Sequence, residues 1–179
     1  VTDNQGQPLN NVYVILTSSF TYKSADTNAA GSYNIRGISE GLYSIEFRPP
    51  AGKNLVSQRI TNILILNGKT LTLDCILPVG GIINGNVVDS NGNALNNAYI
   101  YTYPNYNGTY TSTNVNYTIL GLPEGIYTVN CSADRSYNSD LIAESQSKTN
   151  VFVSSGQVVI VDFILPAGGV ISGKIIGFS

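Results

Sequence analysis

Along this chain apolar and polar residues alternate with a period of two. "VYVILT" (Val12–Thr17), "LYSIEF" (Leu42–Phe47), "IYTVNCS" (Ile126–Ser132) and "VVIVDFIL" (Val158–Leu165) are short β-branched and aromatic runs, and "YNIRGI" (Tyr33–Ile38) and "TLTLDCIL" (Thr70–Leu77) read the same way. Gly, Asn, Pro and Ser clusters bound them, and no segment sustains a helical period, so the pattern predicts strands throughout. Alternation puts Tyr43, Ile45 and Phe47 on one face of their strand, and Tyr127, Val129 and Cys131 on one face of theirs. Both sets are expected to point into a core.

The strands come in two similar series. "RGISEGLYSIEFRP" (Arg36–Pro49) is echoed by "LGLPEGIYTVNCSA" (Leu120–Ala133), with Gly, Glu, Gly and Tyr in the same places. "VTDNQGQPLNNVYV" (Val1–Val14) aligns with "VVDSNGNALNNAYI" (Val87–Ile100), and "LDCILPVGGIINGNVV" (Leu73–Val88) with "VDFILPAGGVISGKII" (Val161–Ile176). A period of about 86 to 88 residues means that one supersecondary unit is used twice. The expected organisation is a β-sandwich module at 1–78, a second at 79–167, and a segment at 168–179 that is the first strand of a following module or a donor strand. "GGIINGN" (Gly80–Asn86) precedes the second "V-x-D", the first has no such half-strand, and the tail carries a spare one in "GGVISGK" (Gly168–Lys174). An unpaired sheet edge in one copy can be completed by an extended segment of another. Val170, Ile171 and Ile175 are the side chains expected to make that subunit contact.

Composition narrows the choice of function. Two modules in 179 residues leave each a modest core. Charged residues are 11% of the chain, against about a quarter in an ordinary soluble domain, so solubility rests on Asn, Ser, Thr and Tyr. A net charge of −2 without a basic cluster gives no footprint for nucleic acid or an anionic membrane. The longest apolar runs, such as "ILIL" (Ile63–Leu66), are far too short to span a bilayer. No export signal is visible and the chain opens in mid-strand, which is expected of a mature or trimmed product.

With these motifs in order, the chain resembles a known family. "V-x-D-x-x-G" at Val1, "DTNAAGSYNIRGISEGLYSI" from Asp26, and the second Gly-x-x-Glu-Gly-x-Tyr turn at Gly121 resemble the carboxypeptidase regulatory-like domain, a transthyretin-like (prealbumin-like) sandwich of about seven strands. The resemblance covers nearly the whole chain in two tandem copies, the second departing from it where "TSTNVNYTIL" replaces "DTNAAGSYNI". It implies an all-β chain of two Ig-like sandwiches that carry no catalytic residues and serve as attached domains or as links of an extracellular array.

The residue inventory agrees on chemistry. With no His, Trp or Met, Ser-His-Asp, Cys-His and His-metal arrangements are impossible within the chain. Glu40 and Glu124 are the tempting carboxylate pair for glycosidase work, but they stand one period apart in equivalent turns. Neither an enzyme nor a cofactor is expected. Cys75 and Cys131 read as small buried hydrophobes, an intermolecular bridge being the alternative. Segments at Asp3, Asp26 and Asp89 have calcium-loop spacing but lack the distal bidentate Glu, which favours Asx-type turns. No Lys occupies the first strand of either module, which argues against an internal Lys–Asn crosslink.

Two features point outward. Asn107, Asn116 and Asn130 stand in N-x-S/T sequons, and covalent glycans are expected at one or more of them. In "NAYIYTYPNYNGTYTS", placing Ala98, Ile100 and Thr102 inward leaves Tyr99, Tyr101 and Tyr103 as an outward aromatic stripe. Such a stripe suits an exposed strand, a contact with another module or stacking on a sugar. The leading expectation is a structural subunit or segment of an extracellular or cell-surface filament, fibre or stalk, with copies of itself or neighbouring modules as partners. The alternative is a carbohydrate-binding or adhesive module.

Overall fold

The computed structural model describes residues 1–112, 114, 116–133, 144–166 and 173–174, and contains no helix among them. The chain divides into two compact units, each a sandwich of sheets.

Unit 1 comprises Val1–Ile82 together with Leu120–Glu124 and Val153–Gln157. Its strands are β1 (Thr2–Asp3), β2 (Tyr13–Thr17), β3 (Tyr22–Asp26), β4 (Gly41–Arg48), β5 (Gln58–Ile65) and β6 (Ile76–Leu77). One sheet has the order β3-β2-β4-β5; the other is the parallel pair β1-β6. Val14, Leu16, Tyr43, Ile45 and Phe47 are buried in one cluster, as the alternation of their strands requires. Asn54 ties loops of this unit together: its Nδ2 donates to the Gly80 carbonyl at 2.6 Å and its Oδ1 accepts from the Gly121 amide at 2.8 Å.

Unit 2 comprises Ile83–Ile119, Gly125–Phe152 and Val158–Ser179. The remaining strands are β7 (Gly81–Asp89), β8 (Ala98–Tyr103), β9 (Gly108–Tyr110), β10 (Asn116–Leu122), β11 (Gly125–Ala133), β12 (Gln146–Val153), β13 (Val158–Ile160) and β14 (Phe163–Leu165). Their sheets run β12-β11-β8-β9 and β10-β7-β13, with β14 pairing in parallel beyond β13 on the same edge of β7. Ile83, Val87, Ile100, Val129, Phe163 and Leu165 are fully buried.

The sequence repeat returns as repeated geometry. Thr2 and Asp3 pair in parallel with Ile76 and Leu77, and Val88 and Asp89 pair with Ile164 and Leu165 in the same way. The buried Thr27 hydroxyl donates to the Leu9 carbonyl at 2.5 Å and accepts from the Val12 amide at 2.9 Å. Thr111 does the same between Leu95 and Ala98, at 2.7 and 3.0 Å. Asn11 and Asn97 both sit at φ 59°, as do Asn62 and Asn150. This left-handed region is one that Asn tolerates better than most side chains, and it accounts for part of the Asn content.

Two expected strands are missing from unit 1. "YNIRGI" and residues 70–75 carry no strand, although their counterparts form β10 and β13. The cause is the neighbour. In the second series β10 and β13 flank β7 and pair with it, whereas among the described residues no strand pairs with the same two segments of unit 1, and without a ladder partner no strand forms.

Candidate functional site

Between those two segments lies a groove of about 920 Å³. Tyr33 and Ile35 line one rim, Leu71 and Leu73 the other, and Leu16 and Ile45 of the core stand at its base. The rims keep their second-series design. The Tyr33 hydroxyl donates to the Leu73 carbonyl at 2.8 Å, and the Tyr117 hydroxyl donates to the Val161 carbonyl. Burial differs between the pairs. Tyr117, Ile119, Leu122 and Val161 are buried beside β7, whereas Tyr33, Ile35, Ile38 and Leu73 remain half-exposed. Burial, then the Cys75 thiol and the Asp74 carboxylate, push the Tyr33 hydroxyl up to about 12.

β7 shows what such a groove accepts. Its residues alternate inward at Gly81, Ile83, Gly85 and Val87. The Ile82 amide donates to the Gln157 carbonyl and the Val161 amide to the Asn84 carbonyl, each at 2.8 Å, while the Asn86 amide donates to Asp162 Oδ1 at 2.8 Å. Gly85 has no space for a side chain: a Cβ there would lie 2.0 Å from the Val161 oxygen and 2.8 Å from the Tyr117 ring. A bare backbone is required where that tyrosine crosses.

The tyrosine stripe lies on β8. Ala98, Ile100 and Thr102 are fully buried, Tyr99 and Tyr101 half-buried, and Tyr103 is 55% exposed. The Tyr99 and Tyr101 rings stack with centroids 5.6 Å apart, and Tyr110 joins Tyr99 at 4.9 Å. Tyr106 meets Tyr103 edge-on at 5.6 Å. Tyr110 and Tyr106 were legible only as further aromatics in the same stretch; the β8-β9 register, which places Tyr110 opposite Tyr99, brings the first into the set.

Of the sequon residues, Asn116 is exposed while Asn107 and Asn130 are half-buried. Asn116 Oδ1 accepts from Ser112 Oγ at 2.6 Å, and Asn130 Oδ1 from Ser147 Oγ at 2.7 Å. Asn130 lies directly opposite Tyr101. Val170, Ile171 and Ile175 lie outside the described residues.

The Asp-containing loops are Asx turns. Asp3 Oδ1 accepts from the Gln5 and Gln7 amides, both at 2.9 Å, and Asp89 Oδ1 from the Asn91 and Asn93 amides, both at 2.8 Å. In the third loop the turn residue is Asn28, whose Oδ1 takes the Ala30 and Ser32 amides, and Asp26 belongs to β3. The Asn93 side chain and amide hold the Asp89 carboxyl below its usual range. Among the described residues no cluster of three or more His, Cys, Asp or Glu could hold a metal ion. Cys75 and Cys131 are free and buried, and burial pushes the Cys131 thiol up to about 12. Glu40 and Glu124 are exposed. No helix among the described residues is long and apolar enough to cross a membrane.

Among curated proteins none matches the chain. In structure it is similar to the Bacillus anthracis TIE protein, at 15% identity and a TM-score of 0.39 over 93% of this chain. The chain spans 33% of the length of that protein's chain. It is also similar to GBS52, the minor pilin in the Gram-positive pathogen Streptococcus agalactiae, at 13% identity and a TM-score of 0.41 over 97% of this chain and 89% of that one. For the shaft pilin SpaA from Lactobacillus rhamnosus GG the values are 10% and 0.39, over 93% and 91%. Residues 1–78 match the family model of the carboxypeptidase regulatory-like domain, as the motifs of the first series led us to expect.

Proposed function

We propose that the chain is a non-catalytic structural subunit of an extracellular or cell-surface filament, in which β-sandwich modules follow one another head to tail and a strand of one copy completes unit 1 of the next. In this reading residues 1–78 and 79–167 are the modules and residues 168–179 the connecting segment. The observation that carries it is the groove. Its rims repeat those that hold β7 in the second series, and among the described residues no strand lies over its apolar base. Donor segment and acceptor groove are different parts of the chain, so the contact is heterologous and generates an open string rather than a closed dimer. Removing residues 168–179 is expected to leave soluble two-module monomers, seen by electron microscopy and sedimentation. Filaments that persist unchanged after the deletion would sink strand exchange.

The stacked Tyr99, Tyr101 and Tyr110 rings favour a second reading, a carbohydrate-binding or adhesive surface, because flat aromatic faces stack on sugars. Saturable binding on a glycan array that disappears in Tyr101→Ala and Tyr103→Ala would establish it. An N-glycan on Asn130 would stand beside this surface, and mass spectrometry of native material tests Asn107, Asn116 and Asn130 together.

A further inference from the structure

Asparagine is followed by glycine at four places in the chain: Asn67, Asn84, Asn91 and Asn107. This pairing lets the backbone close on the side chain, because the glycine has no Cβ to obstruct the approach of its nitrogen to the asparagine amide. Closure needs an N–H that base can reach and a peptide group free to turn. Three of the four peptides are held. Asn84–Gly85 lies within β7, where Gly85 is buried and the Asn84 carbonyl accepts from the Val161 amide at 2.8 Å. The Gly92 amide donates to the Asp89 carbonyl at 3.0 Å, and the Asn91 amide to Asp89 Oδ1 at 2.8 Å. The Asn107 carbonyl accepts from the Thr102 amide at 2.9 Å and from the Thr102 hydroxyl at 3.3 Å, with Gly108 fixed opposite Tyr101.

Asn67–Gly68 differs from all of them. The two residues are the exposed middle of a β-turn that the Lys69 amide closes on the Leu66 carbonyl at 3.2 Å, and the central peptide of such a turn takes no part in the closing bond. Among the described residues neither the Asn67 carbonyl nor the Gly68 amide has a hydrogen-bond partner. A Cβ on Gly68 would meet nothing within 4 Å, so the ring has room to close.

We infer that Asn67 is a modification site, the one Asn-Gly step of the four that the fold leaves to deamidate by itself in water. The Gly68 nitrogen gives up its proton to base and bonds to Asn67 Cγ; the Cγ–Nδ2 bond breaks, and Nδ2 takes up a proton and leaves as ammonia. Water then opens the cyclic imide at either carbonyl and yields aspartate or isoaspartate, with no oxidant and no cofactor. Both products place a new carboxylate on the residue whose amide donates to Glu40 Oε2 at 3.2 Å. Isoaspartate also adds a methylene to the backbone of the turn, which draws the Lys69 amide off the Leu66 carbonyl. The site is thus a clock on the exposed end of the β4-β5 hairpin, set by exposure to water and base.

The test ages the whole unglycosylated chain at mildly alkaline pH and places the converted residues by tandem mass spectrometry with isoaspartyl methyltransferase labelling. Position 67 should convert about fivefold faster or more than 84, 91 and 107, because each of those must first break a hydrogen bond. In urea the four rates should converge to within about threefold, since only the local sequence then distinguishes them. Asn67→Gln should remove the fast event and melt like the wild type. In the isoaspartate fraction the Lys69 amide should exchange about fivefold faster, the loss of the bond that closes the turn. An amide that persists at 67, or conversion at 91 or 107 at the same rate, overturns the site. A lead of Asn67 that survives unfolding overturns the fold as its selector, and unchanged exchange at Lys69 overturns the effect on the turn.

Discussion

The hydroxyl of Tyr33 donates to the carbonyl of Leu73 at 2.8 Å and so joins two segments of unit 1 that are not themselves strands. Tyr33→Phe removes that tie and leaves the ring in place. We expect a loss of about 1 kcal/mol, the net contribution of one such hydrogen bond, measured by urea melts of the dilute chain. Tyr117→Phe should cost more, on the order of 1 to 3 kcal/mol, because Tyr117 is buried and its carbonyl partner on Val161 would stay dry. Equal effects would contradict the difference in burial.

Tyr127 is 2% exposed and Glu124, three residues earlier, is exposed. Tyr127→Ala should cost on the order of 3 to 5 kcal/mol, whereas Glu124→Ala should stay within about 0.5 kcal/mol. The comparison is a pair of equilibrium melts, and similar small effects would refute the inward placement of the tyrosine.

Each buried threonine serves two backbone groups at once. Thr111→Val keeps the shape but strands the Ala98 amide and the Leu95 carbonyl, and Thr27→Val strands the Val12 amide and the Leu9 carbonyl. Each is expected to cost on the order of 2 kcal/mol. Hydrogen exchange should show faster exchange at the Ala98 and Val12 amides in the respective variants; unchanged rates would exclude the hydroxyl as their acceptor.

Alkali should destabilise the chain. Burial raises the Cys131 thiol from its ordinary 9.0 to about 12, and the Tyr33 hydroxyl from 10.0 to about 12. Both groups are neutral when protonated and have folded values above the unfolded ones. Their contribution is therefore complete below pH 9 and is lost as the pH climbs toward 12. The urea midpoint should fall steadily through this window, and Cys131→Ala should flatten the fall. A midpoint constant to pH 11 would refute the burial of the thiol.

What the sequence showed and what it hid follow from the reach of each signal. Alternation is local, so the inward positions of Tyr43, Phe47, Val129 and Cys131 could be read directly. Pairing is not local. Residues 33–38 and 70–75 have the alternation of strands, but whether they become strands depends on a neighbour, and among the described residues no strand pairs with them. The groove was legible only by subtraction, from the half-strand that "GGIINGN" supplies to the second series. Its rim tyrosine was not: Tyr33 and Tyr117 share a place in the repeat, but only coordinates show each hydroxyl bonded to the carbonyl that precedes an aspartate. In the third Asx turn Asn28 takes the place expected of Asp26, because both side chains offer the same oxygen and spacing alone does not choose between them.

The parallel pairing of β7 with β14 has a mechanical meaning. Val87, Val88 and Asp89 lie beside Phe163, Ile164 and Leu165, with the first strand of the series and its last pointing the same way. Tension applied to the two ends drags these strands past each other in opposite directions. Every bond of the ladder is then loaded together, in shear, instead of opening one at a time from an end. The short pair of Thr2 and Asp3 with Ile76 and Leu77 is loaded in the same sense. In the filament proposed above, each unit would meet a pull with its ladders crosswise to the force.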